Sequence, residues 1–246
     1  MKRACPFLLI IGLAVSMHVS AQTNSAPEKT KVLVITGGHG FEREAFFRMF
    51  RENTTVAFTA AEHSKGSSTA WERDDLARFD VVVLYDMQAT ITDAQQKKFQ
   101  SLFEKGTGLV VMHHALCSYQ SWPDYERIIG GLYPVPPKGQ PQVTDKVGYE
   151  HGVEVPVVIV DPAHPITAGL KDFTVHDEIY WGFRVGADVH PLLSTTHAKS
   201  GKPLMWTRTE GKSRVVFLQL GHDPFAYDNP SFRELVARCL TWSTNR

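Results

Sequence analysis

The segment Gly108-Leu-Val-Val-Met-His-His-Ala115 is a short apolar run of strand type that ends in two adjacent histidines. In an open α/β sheet the carboxyl ends of strands face the ligand crevice, so imidazoles there are candidates for proton transfer, metal ligation or substrate hydrogen bonding. A second run, Arg214-Val-Val-Phe-Leu-Gln-Leu220, leads in the same way into Gly221-His222-Asp223. Neighbouring strands lie about 4.8 Å apart, so His114 and His222 on adjacent strands are within reach of one shared ligand or metal ion. Successive residues of an extended strand point to opposite faces. Alternation therefore admits one of His113 and His114 to the cleft, and His114, nearer the end, is the expected one. The competing reading is a pair of buried core histidines, but two in succession are costly to bury without partners.

Other residues could join this chemistry. His39 sits in Gly37-Gly38-His39-Gly40, a turn that lacks both the third glycine of a dinucleotide loop and the Lys-Ser/Thr pair of a phosphate loop. No nucleotide cofactor is expected, and the glycines serve equally well a tight turn with positive φ. Asp86 ends a further strand. Glu178 stands beside Tyr180 and Trp181, a carboxylate among aromatic faces on which a sugar ring can stack while its hydroxyls find acceptors. Trp122 and Asp124 repeat that pairing just after the histidines, and Asp223 follows His222. The expected catalytic groups are His114, His222 and Glu178, with substrate contacts from His39, Asp86, Trp122, Asp124, Tyr180, Trp181 and Asp223. A divalent metal such as zinc suits mixed histidine and carboxylate ligands in an exported protein, with His113, His114 and His222 as the expected set. His164, between prolines, reads as a helix-start hydrogen bond. Cys117 lies three residues beyond His114, but the strand end itself carries histidine, which argues against a Cys-His hydrolase.

The elements that must position these groups follow from periodicity. Lys31-Val-Leu-Val-Ile-Thr36 reads as a buried strand, and Glu42 to Glu52 carries Phe46, Phe47 and Phe50 at helical spacing. Thr54 to Ala60 and Asp80 to Tyr85 read as further strands. Thr92 with Gln95 forms a capping box, Phe99, Leu102 and Phe103 form an apolar stripe, and Gly106 closes that helix. Strands alternating with helices imply right-handed crossovers and a doubly wound, mostly parallel α/β sheet. Pro134 to Pro141 forbids regular structure, while Gly152 to Asp161 and Pro191 to Glu210 read as inserted strands and long loops. A Gly211 hairpin turn feeds the Arg214 strand. The last helix, opened by Asn229-Pro230, buries Phe232, Leu235, Val236, Cys239 and Leu240.

Residues 1–21 combine Lys2-Arg3, an apolar run from Phe7 to Val15 and small residues at Val19-Ser20-Ala21, the layout of a signal peptide cut after Ala21. Its removal predicts a periplasmic or secreted protein without membrane attachment, with a polar lead-in over 22–30 and one domain over 31–246. The 26 basic and 26 acidic residues balance, so nucleic-acid and anionic-membrane partners are not expected. The expected partner is small or neutral, and the pairing of Glu178 with Tyr180 and Trp181 suits a carbohydrate. Cys117 and Cys239 have no paired spacing, and Cys239 fits a buried free thiol.

In order, the blocks Gly108–Ala115 with Trp122-Pro123-Asp124-Tyr125 and Gly130-Gly131, His164-Pro165-Ile166-Thr167-x-Gly169-Leu170, Asp177-Glu178-x-Tyr180 and Leu220-Gly221-His222-Asp223 resemble the ThuA-like (trehalose utilisation) family. The resemblance covers most of Lys31 to Ser243 and implies the fold of class I glutamine amidotransferases. It implies that His222 occupies the place of the amidotransferase triad histidine, while His113-His114 stand where the nucleophilic cysteine would be. Glutaminase activity is therefore not expected. The resemblance implies carbohydrate catabolism, with oxidised or 3-keto disaccharides as a candidate class. The alternative is a non-catalytic carbohydrate-binding or scaffold protein that reuses the cleft.

Overall fold

The computed structural model describes Met1 and residues 28–244; the expected signal peptide lies outside the described residues. The first half of the chain alternates strands and helices: β1 (Thr30–Gly37), α1 (Arg43–Glu52), β2 (Val56–Glu62), β3 (Val81–Asp86), α2 (Asp93–Lys105), β4 (Gly108–Met112) and α3 (Pro123–Ile129). Short β5 (Gly131–Leu132) follows, then β6 (Gly148–Ile159), β7 (Phe173–Trp181), short β8 (Arg184–Val185), β9 (His190–Thr195), β10 (Met205–Glu210) and β11 (Ser213–Leu218). Two helices close the chain, α4 (Pro224–Asp228) and α5 (Pro230–Ser243).

Nine strands form one sheet in the order β2-β1-β3-β4-β11-β10-β9-β6-β7. From β2 to β11 every pairing is parallel, and from β11 to β7 every pairing is antiparallel. The parallel half is the doubly wound layer expected from the alternating pattern. Its inner strands β1, β3 and β4 are continuous apolar runs because both faces are covered, while the edge strand β2 is largely exposed. On one face Val32, Val34 and Val110 meet Phe46 and Phe50 of α1 and Leu235 and Cys239 of α5; on the other, Leu33, Ile35 and Leu109 meet Phe99 and Leu102 of α2 and Ile128 of α3. The Thr92–Gln95 capping box forms, and Gly106 ends α2 in the left-handed conformation. The whole predicted stripe of α5 is buried, and Cys117 and Cys239 are both buried free thiols.

The inserted β-rich segments supply the antiparallel half. β7 is five places from β4 in strand order, yet its residues reach the ends of β4 and β11: Asp177 accepts hydrogen bonds from the backbone N–H groups of Gly221 (2.7 Å) and His222 (2.9 Å). The antiparallel half therefore curls back over the strand ends, bringing β7 to the mouth of the parallel crevice. Among the described residues no helix is long and apolar enough to cross a membrane.

Candidate active site

β4 and β11 are adjacent and parallel, in register from Leu109↔Val215 to Met112↔Leu218, so both apolar runs deliver their histidines to one end of the sheet. The chain leaves β4 at His113 with φ of 51°, a left-handed conformation that costs a residue bearing a side chain roughly 1–3 kcal/mol. His113 then opens a 3₁₀ turn through Cys117. This turn cancels the alternation expected of an extended strand. Both histidines face inward, and the one that joins His222 is His113, not His114.

His113 is completely buried and engaged at both ring nitrogens. Its Nδ1 lies 2.6 Å from the Gln219 carbonyl, and its Nε2 lies 2.8 Å from Glu178 Oε2, 2.9 Å from the Tyr180 hydroxyl and 3.1 Å from His222 Nδ1. His222 Nδ1 is in turn 3.0 Å from the same Glu178 oxygen. The other carboxylate oxygen, Oε1, faces His151 Nδ1 at 3.3 Å. Burial opposes ionisation of Glu178, but hydrogen bonds from His113 and His222 outweigh it and hold the carboxyl far below the usual carboxylate range. For His222 burial favours the neutral ring, and the Glu178 hydrogen bond and charge reverse that, raising its pKa.

Backbone geometry fixes the corner. Gly221 has φ of 110° and a Cβ there would stand 2.8 Å from the Phe232 ring, so the turn that hands His222 into the site needs glycine. Asp177, fully buried, ties that turn to β7 through Gly221 and His222, and also accepts from the Glu178 N–H at 2.8 Å. Burial raises the pKa of Asp177 against these three donors.

A cavity of about 190 Å³ opens beside the cluster, lined by His39, His114, Cys117, Tyr133, His151, Glu178 and Tyr180 among others. Sites for drug-sized ligands hold ~300–1,000 Å³, so this space suits one ring-sized unit. His114 forms its wall without a hydrogen-bond partner at either nitrogen, between the rings of His39 (4.6 Å) and Tyr85 (4.3 Å). Burial, followed by the neighbouring charge of His113, pushes its pKa well below the ordinary value. His39 is lowered too, by burial first. The turn that carries His39 is forced by close packing: Gly38 has φ of 81°, and a Cβ there would lie 2.0 Å from the Met87 carbonyl oxygen. Burial pushes the Cys117 thiol up, so it is a poor source of thiolate.

His39, His114, Glu178 and Tyr180 thus line one cavity, His113 and His222 reach it through their contacts with Glu178, and the other expected residues lie elsewhere. Asp86 is wholly buried behind the strand ends, accepting from the Tyr119 hydroxyl at 2.9 Å and facing His63. Trp122 packs on Phe99 and Tyr125. Asp124 is on the surface with Arg127. Trp181 donates to the Thr144 carbonyl and carries Lys199 over its ring. Asp223 caps α4 by accepting from the Phe225 and Ala226 N–H groups. Of the three residues expected to hold a metal, His113 and His222 lie together with Glu178, and His114 is not in that group. Sequence reasoning missed His151 and Asp177. Gly152, next to His151, held the signal for the first: a glycine inside a strand marks a bulge, and the β6–β7 register does shift between Glu150 and Val153.

The family described as "ThuA: Trehalose utilisation" matches residues 31–243. No curated protein matches the chain. Among solved structures, a ThuA-like protein from Parabacteroides merdae ATCC 43184 is similar with a TM-score of 0.75 at 19% identity, covering 89% of this chain and 91% of that one. Another, from Bacteroides uniformis ATCC 8492, has a TM-score of 0.64 at 20% identity over 91% of this chain and 95% of that chain. A β-galactosidase from Rahnella sp. R3 matches 89% of this chain with 32% of its own length, at 12% identity and a TM-score of 0.58. At these identities the likenesses show a shared fold. They agree with the α/β, flavodoxin-like architecture.

Proposed function

Because the chain belongs to the trehalose-utilisation (ThuA) family, we propose that it is an enzyme of carbohydrate catabolism that takes one sugar ring into the strand-end cavity and acts on it with His113, Glu178 and His222. The observation that carries this reading is the mutual contact of these three side chains at 2.8–3.1 Å, with Glu178 lining the cavity. Tyr133, Tyr149 and Tyr180 line the same cavity and offer the faces against which a sugar ring packs. His114, with two unused nitrogens, would donate to one sugar hydroxyl and accept from another. His39, at the cavity mouth, would act beside it.

Amidotransfer does not fit this arrangement: the strand end carries His113 and His114, and Cys117 is buried with its thiol held protonated. The proposal places the protein in the periplasm or outside the cell, on the strength of the Lys2-Arg3 segment, the apolar run and the small residues before Gln22. N-terminal sequencing of mature protein recovered from that compartment should begin at Gln22.

The test is turnover of a disaccharide panel, trehalose and its 3-keto form included, followed by NMR. The expected result is conversion of at least one member, lost in His222→Ala protein that still folds. A sugar that binds the unaltered protein tightly and is never converted would contradict the enzyme reading.

A further inference from the structure

We infer that His113 Nε2, Glu178 Oε2 and His222 Nδ1 form a binding site for one divalent first-row transition metal ion, zinc being the best fit, beside the cavity that Glu178 lines. A carbonyl oxygen only accepts, so the 2.6 Å contact between Nδ1 and the Gln219 carbonyl places the ring proton on Nδ1. That leaves Nε2 facing a carboxylate oxygen 2.8 Å away, a contact that closes either through a second ring proton or through a metal ion bound to both atoms. The Tyr180 hydroxyl and a proton on His222 Nδ1 can each satisfy one acceptor, but neither lies between Nε2 and Oε2. At that distance in a buried corner Nε2 and Oε2 need a positive centre between them, and the three converging donor atoms suit a metal ion in that place.

Geometry and surroundings favour a metal for that role. Donor atoms bonded at 2.0–2.1 Å to a tetrahedral ion stand roughly 3.3 Å from one another; the three here are separated by 2.8, 3.0 and 3.1 Å, so outward shifts of a few tenths of an ångström would admit the ion. Two histidines and one glutamate are a known zinc set when the fourth position is left to water or substrate. Each ligand is also held from behind, as metal ligands usually are. His113 is oriented by the Gln219 carbonyl, Glu178 Oε1 by His151, and the backbone of His222 by Asp177. A metal in this position would polarise a sugar carbonyl or activate a water.

The inference concerns the cluster of the proposed function and rests on that reading for its place at the working end of the fold, yet it is tested without any sugar, so the two can fail separately. Full-length mature protein, stripped with a chelator and dialysed, is titrated with Zn²⁺ by calorimetry and with Co²⁺ by visible absorption. One equivalent should bind, with cobalt bands of tetrahedral or five-coordinate type. Affinity should fall at least about 100-fold in His222→Ala, whose ring lies at the cavity edge, and in Glu178→Gln, which keeps the shape of the side chain. His190→Ala, on the surface beside Asp161, should bind as the unaltered protein does. Substoichiometric zinc uptake, or uptake that both cluster variants retain, overturns the inference and leaves a shared proton as the cation.

Discussion

His113 and His114 are neighbours in sequence, equally buried, and opposite in condition. His113 has a partner at each nitrogen and sits in a corner built from β4, β7 and β11. His114 has no well-formed hydrogen bond at either nitrogen and packs between the rings of His39 and Tyr85. A buried imidazole with two unmet hydrogen bonds carries a penalty of about 1–3 kcal/mol, a penalty that a ligand with hydroxyl groups would relieve. In the proposed reading the difference would separate two roles: the engaged cluster would hold a cation and do the chemistry, and the unengaged His114 would recognise the substrate.

The sharpest way to break that division is to remove the engaged side. Glu178→Ala or His222→Ala should lower kcat on the sugar substrate by about 10²–10⁴, read by steady-state kinetics alongside circular dichroism. Retained turnover in both variants would dissolve the distinction. Next in size is the support beneath the cluster. Asp177→Ala orphans the N–H groups of Glu178, Gly221 and His222, and should cost about 3–5 kcal/mol in urea unfolding, far more than an ordinary surface carboxylate would.

The unengaged side predicts a different signature. His114→Phe should raise KM about 10-fold, the value of one or two hydrogen bonds, with kcat within about threefold and stability undiminished, since no protein partner is lost. A fall in kcat equal to that of His222→Ala would move His114 into the chemistry. The smallest effect belongs to Asp124, exposed and paired with Arg127. Asp124→Ala should change stability by less than about 0.5 kcal/mol and leave kcat/KM unaltered.

How much of this was legible in the sequence differs between the two halves of the sheet. In the parallel half β1, β3 and β4 are apolar runs buried on both faces, and α2 and α5 open on side-chain caps, so these elements could be read directly. The antiparallel half has mixed patterns: β6 is largely exposed along its first residues while β7 is buried on both faces from Asp177 onward. No local signal states that such strands curl over the parallel strand ends. Glu178 and Tyr180 were legible as a carboxylate among aromatics, and His222 as a strand-end imidazole. Their convergence on His113 was not, because one positive φ at that residue replaces the period of an extended strand with a turn. Trp122, Asp124, Trp181 and Asp223 have site-like composition and serve packing, surface pairing or capping, distinctions that depend on the direction in which a side chain leaves its element.

The cluster's role is tested most directly by an anomalous-scattering map at the zinc absorption edge, from crystals of the mature protein grown with one equivalent of Zn²⁺. A single peak about 2.0–2.2 Å from His113 Nε2, Glu178 Oε2 and His222 Nδ1, with the His114 ring outside bonding distance, is the predicted result. A map with no peak in that corner, its zinc instead at surface pairs such as His190–Asp161 or His176–Glu154, would contradict it.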